Sequence, residues 1–227
     1  MEPIESKLCD TLGSALAALE LPQEDEVVRS LVQYWCLVMD ENRIHNLVSR
    51  KCGVDEGLVV HVADSLTALK FDLPVEGLKV LDFGSGAGLP GIPLKIARPG
   101  WEMVLAESKV KKAGFLTRAT LSMRLKKIYV YSRYIGQYGK APGLHGPFDL
   151  ITARAVDRVI DLAEKIVPLL KKDGFFLAFK GPAFKDEIVG TYNSIADAGL
   201  KLERIEEFVL PFEVGHKRTL LLFRKVL

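Results

Sequence analysis

At 227 residues with 48% hydrophobic side chains, the chain is long enough for one core-forming domain, alone or with an extension. Lys and Arg exceed Asp and Glu by only 31 to 29, a net charge of +2, so bulk charge selects no partner and local clusters must decide. No apolar run approaches the ~20 residues of a membrane-spanning helix, the start MEPIESKLCD lacks a signal pattern, and Cys9, Cys36 and Cys52 form no C-x-x-C pair, which argues against disulfides and zinc. A cytoplasmic, metal-free monomer with no membrane association is expected.

In chain order, residues 1–72 read as a helical extension packed on the remainder. Leu8, Leu12, Ala15, Leu16 and Leu19 recur at helical spacing until Pro22 ends the pattern. Val27, Val28, Leu31, Val32, Trp35 and Val38 repeat it behind an acidic first turn, Gln23 to Glu26. A basic connector follows, Arg43-Ile44-His45-Asn46-Leu47-Val48-Ser49-Arg50, and a third helix is expected from Val54 to Leu69. From 73 to 227 the rhythm becomes strand–helix alternation. Strands are predicted at 79–83, 102–106, 127–131, 148–153, 174–179, 203–209 and 218–224, and helices at 92–97, 109–124, 157–170 and 184–198. That order implies an α/β fold with a doubly wound, mostly parallel sheet. Residues 203–209 and 218–224 are joined by Pro211-Phe212-Glu213-Val214-Gly215-His216 without a helix, so the last strand should run antiparallel to its neighbour.

The first predicted strand opens into Gly84-Ser85-Gly86-Ala87-Gly88-Leu89-Pro90-Gly91. Glycine lets a backbone turn sharply and approach a ligand, because no Cβ intervenes. The helix that follows offers unpaired N–H groups. A strand, a glycine loop and a helix start together make a cofactor pocket at the carboxyl end of a strand. Gly84, Gly86 and Gly88 give G-x-G-x-G, while Gly86, Gly88 and Gly91 also satisfy the dinucleotide pattern G-x-G-x-x-G. A nicotinamide-dependent oxidoreductase therefore stays open at this point.

Two acids bear on that choice. Glu107 closes the next strand about 20 residues after the loop, where a carboxylate can accept both ribose hydroxyls; the plainer role is a cap on the helix near Lys109. Asp82 precedes the glycines. Phosphates dislike a nearby carboxylate, whereas a cationic sulfonium ligand prefers one. Asp82 tilts the choice toward S-adenosylmethionine.

The run Leu81-Asp82-Phe83-Gly84-Ser85-Gly86-Ala87-Gly88-Leu89-Pro90-Gly91-Ile92-Pro93-Leu94 resembles the glycine loop of the bacterial small-subunit rRNA guanine-N7 methyltransferases, also called glucose-inhibited division protein B. Asn46-Leu47-Val48-Ser49, His61-Val62-Ala63-Asp64-Ser65 and Thr152-Ala153-Arg154-Ala155 are similar too, so the resemblance spans nearly the whole chain. It implies a class I S-adenosylmethionine-dependent methyltransferase sheet of Rossmann-like form, that cofactor, and 16S rRNA of the small ribosomal subunit as substrate. It places Gly84, Leu89 and Arg154 against the cofactor and sets Tyr134-Ile135 beside the adenine. Family members commonly have an acid at the second residue of that pair; this chain has Ile135. Val48 replaces a common threonine, and the loop from Gly139 to Pro147 is longer than usual.

Methyl transfer to guanine N7 is an in-line displacement. The thioether leaves uncharged and N7 carries no proton, so positioning outweighs acid–base work. No dedicated catalytic group is expected. Arg43, Asn46, His61, Asp64 and Lys180 are candidates for holding the guanine, with capping or structural pairing as their plainer roles. For RNA contact the basic residues Lys109, Lys111, Lys112, Arg118, Arg124, Lys126, Lys127 and Arg133 form one cluster, and Arg43, Arg50 and Lys51 another. A solvated helix face is the alternative for both. With modest net charge, a structured ribonucleoprotein is the expected target. Methylation of a small molecule or a protein is the other enzymatic reading, and a non-catalytic RNA-binding scaffold is a further one.

Overall fold

The computed structural model describes residues 3–49, 53–181, 184–212 and 215–226. Arg50, Lys51 and Cys52 lie outside them, as do Glu213 and Val214 of the final connection. Helix α1 (Pro3–Ala18) buries Leu8, Leu12, Ala15 and Leu16, and α2 (Asp25–Asn42) buries Val28, Leu31, Val32, Trp35 and Val38. Those positions are spaced by three and four residues, so each helix presents one apolar stripe to the core. Tyr34, adjacent to that stripe, is also fully buried.

The expected third helix is four pieces rather than one. It comprises α3 (Val54–Gly57), a π turn (Leu58–Ala63), α4 (Asp64–Leu66) and a 3-10 turn (Thr67–Lys70). Side-chain periodicity does not reveal an i→i+5 bond, and such turns cluster at functional sites.

The sheet contains β1 (Lys79–Phe83), β2 (Glu102–Ala106), β3 (Ile128–Tyr131), β4 (Phe148–Arg154), β5 (Leu170–Lys180), β6 (Leu200–Val209) and β7 (Lys217–Lys225). Its order is β3-β2-β1-β4-β5-β7-β6. β1 to β5 pair in parallel, and β7 runs antiparallel to both β5 and β6. The last strand thus enters between two others and meets the expected antiparallel pairing on either side. The order reverses between β1 and β4, so the crevice beyond their carboxyl ends is the natural ligand site.

Helices α5 (Gly91–Ala97), α6 (Val110–Ser122), α7 (Val159–Ile166) and α8 (Phe184–Asp197) flank the sheet. The helix expected over 157–170 stops at Ile166 and continues as a 3-10 turn, Val167–Leu169. Pro168 explains this, since it lacks the N–H that would continue the i→i−4 ladder. Strand β5 begins earlier than expected, and β3 starts one residue later because Lys127 is left-handed (φ 53°).

Alternate strand residues feed two cores. Val80, Leu105, Leu150 and Leu177 join Leu12, Leu31, Trp35 and Leu58 on one face; Leu81, Ile151, Phe176 and Ala178 join Leu162, Ile166 and Ile188 on the other. The first core is continuous from the helical extension into the sheet.

Gly57 marks how tightly that junction is packed. A Cβ built there would lie 2.5 Å from Trp35 Cζ2. Gly57→Ala should therefore lower unfolding free energy by about 1–3 kcal/mol, the usual effect of overpacking a core, as a lower urea midpoint would report; an unchanged midpoint would mean that the indole yields freely.

Candidate functional site

The loop after β1 is fastened before any ligand is considered. Gly84 and Ser85 donate their N–H groups to Ala106 O at 2.9 and 3.0 Å, tying the loop to the end of β2. Gly84, Gly86 and Gly88 all have positive φ (73°, 60° and 95°). At Gly84 a Cβ would also stand 2.7 Å from Val156 Cγ1, and at Gly88 it would meet Ile92 Cδ1 at 2.6 Å. Space at Gly86 is open, with Lys112 Nζ the nearest side-chain atom, 4.0 Å from a Cβ built there.

The two acids hold this loop from opposite sides. Glu107 accepts the Gly86 N–H at 3.0 Å through Oε2 and the Lys109 N–H at 2.7 Å through Oε1. It is therefore both loop brace and helix cap. Each carboxylate oxygen has a second lone pair, so a ribose diol can still be accepted. Asp82 is fully buried. Its Oδ2 accepts the Gly91 N–H at 3.2 Å and its Oδ1 accepts Thr152 Oγ1–H at 3.0 Å. Burial pushes its pKa up to about 6, against the donors Ser85, Thr152 and Gly91. Its carboxylate sits beneath the loop rather than in the crevice. There it occupies the first N–H of α5, where a pyrophosphate would have to bind. Gly91 is also required by packing, since a Cβ there would strike Leu105 and Asp82.

Beside Gly84 lies a cavity of about 150 Å³, walled by Phe83, Ala106 and Ile135 and reached by Ser108, Arg133, Tyr134, Asp157 and Lys165. Ile135 is buried and Tyr134 exposed, with Lys165 Nζ 5.7 Å from its ring centroid. Ile135 supplies an apolar wall, and the carboxylate at this cavity is Asp157, 3.8 Å from Lys165 Nζ.

Arg154 points into the helical layer. Its Nη1 donates to His61 O (2.9 Å) and Ser65 Oγ (3.2 Å); its Nη2 donates to Val60 O (2.8 Å) and His61 Nδ1 (3.0 Å) and lies 3.3 Å from Asp64 Oδ2. A guanidinium only donates, so His61 Nδ1 accepts and the ring proton resides on Nε2. That Nε2–H is buried without an acceptor among the described residues. Burial, then the charges of Arg154 and Arg218, drive the His61 pKa down to about 3, so the ring is neutral at pH 7. Asp64 lies between Arg154 and Arg218, whose Nε is 3.4 Å from Oδ1. His61 and Asp64 thus share one network, joined through Arg154.

The remaining candidates separate. Lys180 turns to the other face, pairing with Glu187 at 3.0 Å and donating to Asp157 O at 3.2 Å. Arg43 is the C-cap residue of α2, 3.7 Å from Asp40, and Asn46 is exposed on the connector. The connector is held instead by Asn42 Oδ1, which accepts the N–H groups of Leu47 and Val48. Arg118 pairs with Glu41 at 2.8 Å, while Lys109 and Lys111 are exposed.

Residues 27–217 match the family described as rRNA small subunit methyltransferase G. The ribosomal RNA small subunit methyltransferase G of Pelotomaculum thermopropionicum is 35% identical over 221 residues, covering 97% of this chain and 92% of that one. Its counterpart in Caldicellulosiruptor bescii is 36% identical over 199 residues, covering 86% and 83%. The chain belongs to the rRNA small subunit methyltransferase G family. Among solved structures, a methyltransferase from Pyrococcus furiosus superposes with a TM-score of 0.58 at 14% identity, covering 86% of this chain and 99% of that one. An S-adenosylmethionine-dependent methyltransferase from Aquifex aeolicus gives 0.55 at 19%, covering 75% and 93%. These establish a shared class I fold.

Sequence reasoning missed Tyr34. Its hydroxyl, fully buried on α2, donates to Ala87 O in the glycine loop at 2.8 Å. Tyr34 is not among the periodic apolar positions read from the sequence, and nothing in the pattern assigns its hydroxyl. Arg218 and Thr152 escaped for the same reason, since their partners are distant in sequence.

Glu107→Ala should weaken binding of S-adenosylhomocysteine by roughly 1–3 kcal/mol, about five- to 150-fold in calorimetry; unchanged affinity with lowered stability would reduce Glu107 to a brace. His61 makes stability depend on pH. Unfolded, it takes up a proton near pH 6.5; folded, it refuses one until about pH 3. Stability is therefore lost as pH falls through 6.5, about 2 kcal/mol between pH 7 and 5. Asp82, with its pKa raised to about 6, opposes this by about 1 kcal/mol over the same interval. His61→Gln should remove the larger contribution and leave that of Asp82, so the urea midpoint at pH 5, lower than that at pH 7 in the parent, should become the higher of the two in the variant; an unchanged order would show that His61 does not set the pH dependence.

Proposed function

We propose that this chain transfers a methyl group from S-adenosylmethionine to N7 of a guanine in the 16S rRNA of the small ribosomal subunit. The observation that carries this reading is the family match over residues 27–217, a span that includes the glycine loop whose adjacent helix start is already occupied by Asp82. That occupancy disfavours the dinucleotide alternative raised by Gly86, Gly88 and Gly91, because pyrophosphate and carboxylate compete for the same N–H groups. It suits a cationic donor.

S-adenosylmethionine, when bound, supplies a methyl group on a positively charged sulfur. The residues present fit it. Gly84, Gly86 and Gly88 leave the backbone bare, with Leu89 beside them; Glu107 offers ribose acceptors; and the cavity of Phe83, Ala106 and Ile135 offers flat apolar walls. Asp157 is the acceptor available for an exocyclic amine there, in place of the acid missing at 135.

Guanine N7 has no proton to lose, so the protein needs no free base at this edge. The groups near it accord with that. Tyr34 donates to a carbonyl, and burial, then the charge of Asp82, raise its pKa well above the usual phenol value. His61 is neutral, and Lys180 is paired. Catalysis rests on placement of the two reactants. The orphan His61 Nε2–H is suited to a guanine carbonyl oxygen, and Lys109, Lys111 and Lys112 are suited to nearby phosphates.

Incubation with tritium-labelled S-adenosylmethionine and unmodified 30S subunits should place label in 16S rRNA as 7-methylguanine. Gly84→Val should abolish both transfer and S-adenosylhomocysteine binding while the circular dichroism spectrum persists. Label in ribosomal protein or a small molecule would replace the RNA reading, and cofactor binding without any transfer would favour a scaffold.

A further inference from the structure

A second cavity, about 400 Å³, opens between α2, α5 and the turn joining α6 to β3. Ser30, Gln33, Lys95, Arg124, Lys126 and Lys127 are its polar lining, and no carboxylate contributes. Arg124, Lys126 and Lys127 are exposed, and among the described residues none of the three makes a side-chain hydrogen bond or ion pair. Lys95 is buried below them, donating to Pro99 O at 2.8 Å and to Trp101 O. Burial, then the neighbouring charge of Lys127, lower its pKa to about 8. Like charges are thus crowded around an opening with nothing anionic inside it.

The backbone adds a second observation. Arg124 and Lys127 are both left-handed, with φ of 50° and 53°. Such positions cost a non-glycine residue about 1 kcal/mol or more. The carbonyl ends of α5 and α6 favour nearby cations. That attraction does not require the cations to stand on the two strained residues of the turn.

Position indicates what the cations meet. The glycine loop lies at the carboxyl ends of the strands, and this cavity at the amino ends. Strands of five residues separate the two edges by about 17 Å. Helix α6, with 13 residues, covers that span as a rod of about 20 Å. Lys109, Lys111 and Lys112 stand at its loop end, with Lys112 beside Gly86, and Arg124 to Lys127 stand at the other. A bound nucleoside cannot reach both ends, but a nucleic-acid backbone can.

We propose that this cavity is a remote phosphate anchor for the RNA, in which Arg124, Lys126 and Lys127 hold the backbone away from the methylated base. The proposal rests on RNA being the substrate.

The test uses the full chain with Arg124→Gly and Lys127→Gly together. Glycine removes both charges and relaxes both left-handed positions. The expected result is an unchanged or raised Tm and unchanged S-adenosylhomocysteine affinity. Affinity for protein-free 16S rRNA should fall roughly tenfold or more at low salt, with a log K against log salt slope shallower by about 2. Lys126→Gln, which touches no strained residue, should flatten that slope by about 1. A raised Tm with an unaltered slope would overturn the proposal, as would weakened binding to intact subunits but not to bare rRNA, which would indicate an acidic protein segment. Parent protein with no salt-dependent RNA binding would overturn the RNA reading itself.

Discussion

One buried carboxylate joins the three elements that meet at the crevice. Asp82 ends β1, receives the Thr152 hydroxyl from β4 and receives the first N–H of α5. Its pKa of about 6 stands two units above the ordinary value, so the ionised form opposes folding by about 3 kcal/mol at neutral pH. Burial wins over the donors around it. An apolar residue at this position would avoid that penalty. It would also leave the α5 terminus open to anions and release the loop from β4. The fold therefore accepts a destabilising charge to fix the shape and polarity of a binding surface, a common arrangement at functional sites.

Arg154 couples that surface to the helical layer. Its donors reach two carbonyls of the π turn, a serine hydroxyl and a histidine nitrogen, with an aspartate alongside. Removing such a charge from water is tolerable only when its hydrogen bonds are made. The π turn brings two successive carbonyls, of Val60 and His61, within its reach. Tyr34 reaches the same loop from α2. The helical layer thus borders the crevice through Tyr34 and the π turn as well as contributing to the core, and one apolar cluster runs from it into the sheet.

The architecture was legible in the sequence because periodicity and glycine placement are local properties. Apolar stripes gave α1 and α2, alternation gave the parallel strands, and the Pro211–His216 connection foretold the antiparallel end. The positions of the glycine loop and of Glu107 could be read because both adjoin a strand end, and the helix-capping bond of Glu107 to Lys109 follows from the same adjacency. What stayed hidden depends on contacts far apart in the chain. Arg154 was expected against the cofactor, yet its partners lie 89–94 positions away on the helical side. Lys180 follows an active-edge strand, but strand alternation directs it to the opposite face and Glu187. Arg118 belongs to a basic run in sequence and to an ion pair with Glu41 in space. Ile135 marked a missing acid; only the folded crevice brings Asp157 to the same cavity.

Lys112 shows why cofactor and RNA surfaces cannot be separated by sequence alone. It lies in a basic run, as an RNA contact should, yet its ammonium overlooks Gly86. Glu107 braces that glycine from the other side. A cation near the site of a sulfonium ligand is unfavourable unless anions outweigh it, and Asp82 and Glu107 supply two buried carboxylates against one lysine. The balance leaves the loop net negative toward the cofactor while Lys112 remains able to meet a phosphate. The same helix then carries basic residues from the loop to the far edge of the sheet. For the proposed transfer to guanine N7, in which no proton moves, such an extended grip supplies through orientation the advantage that acid–base groups do not.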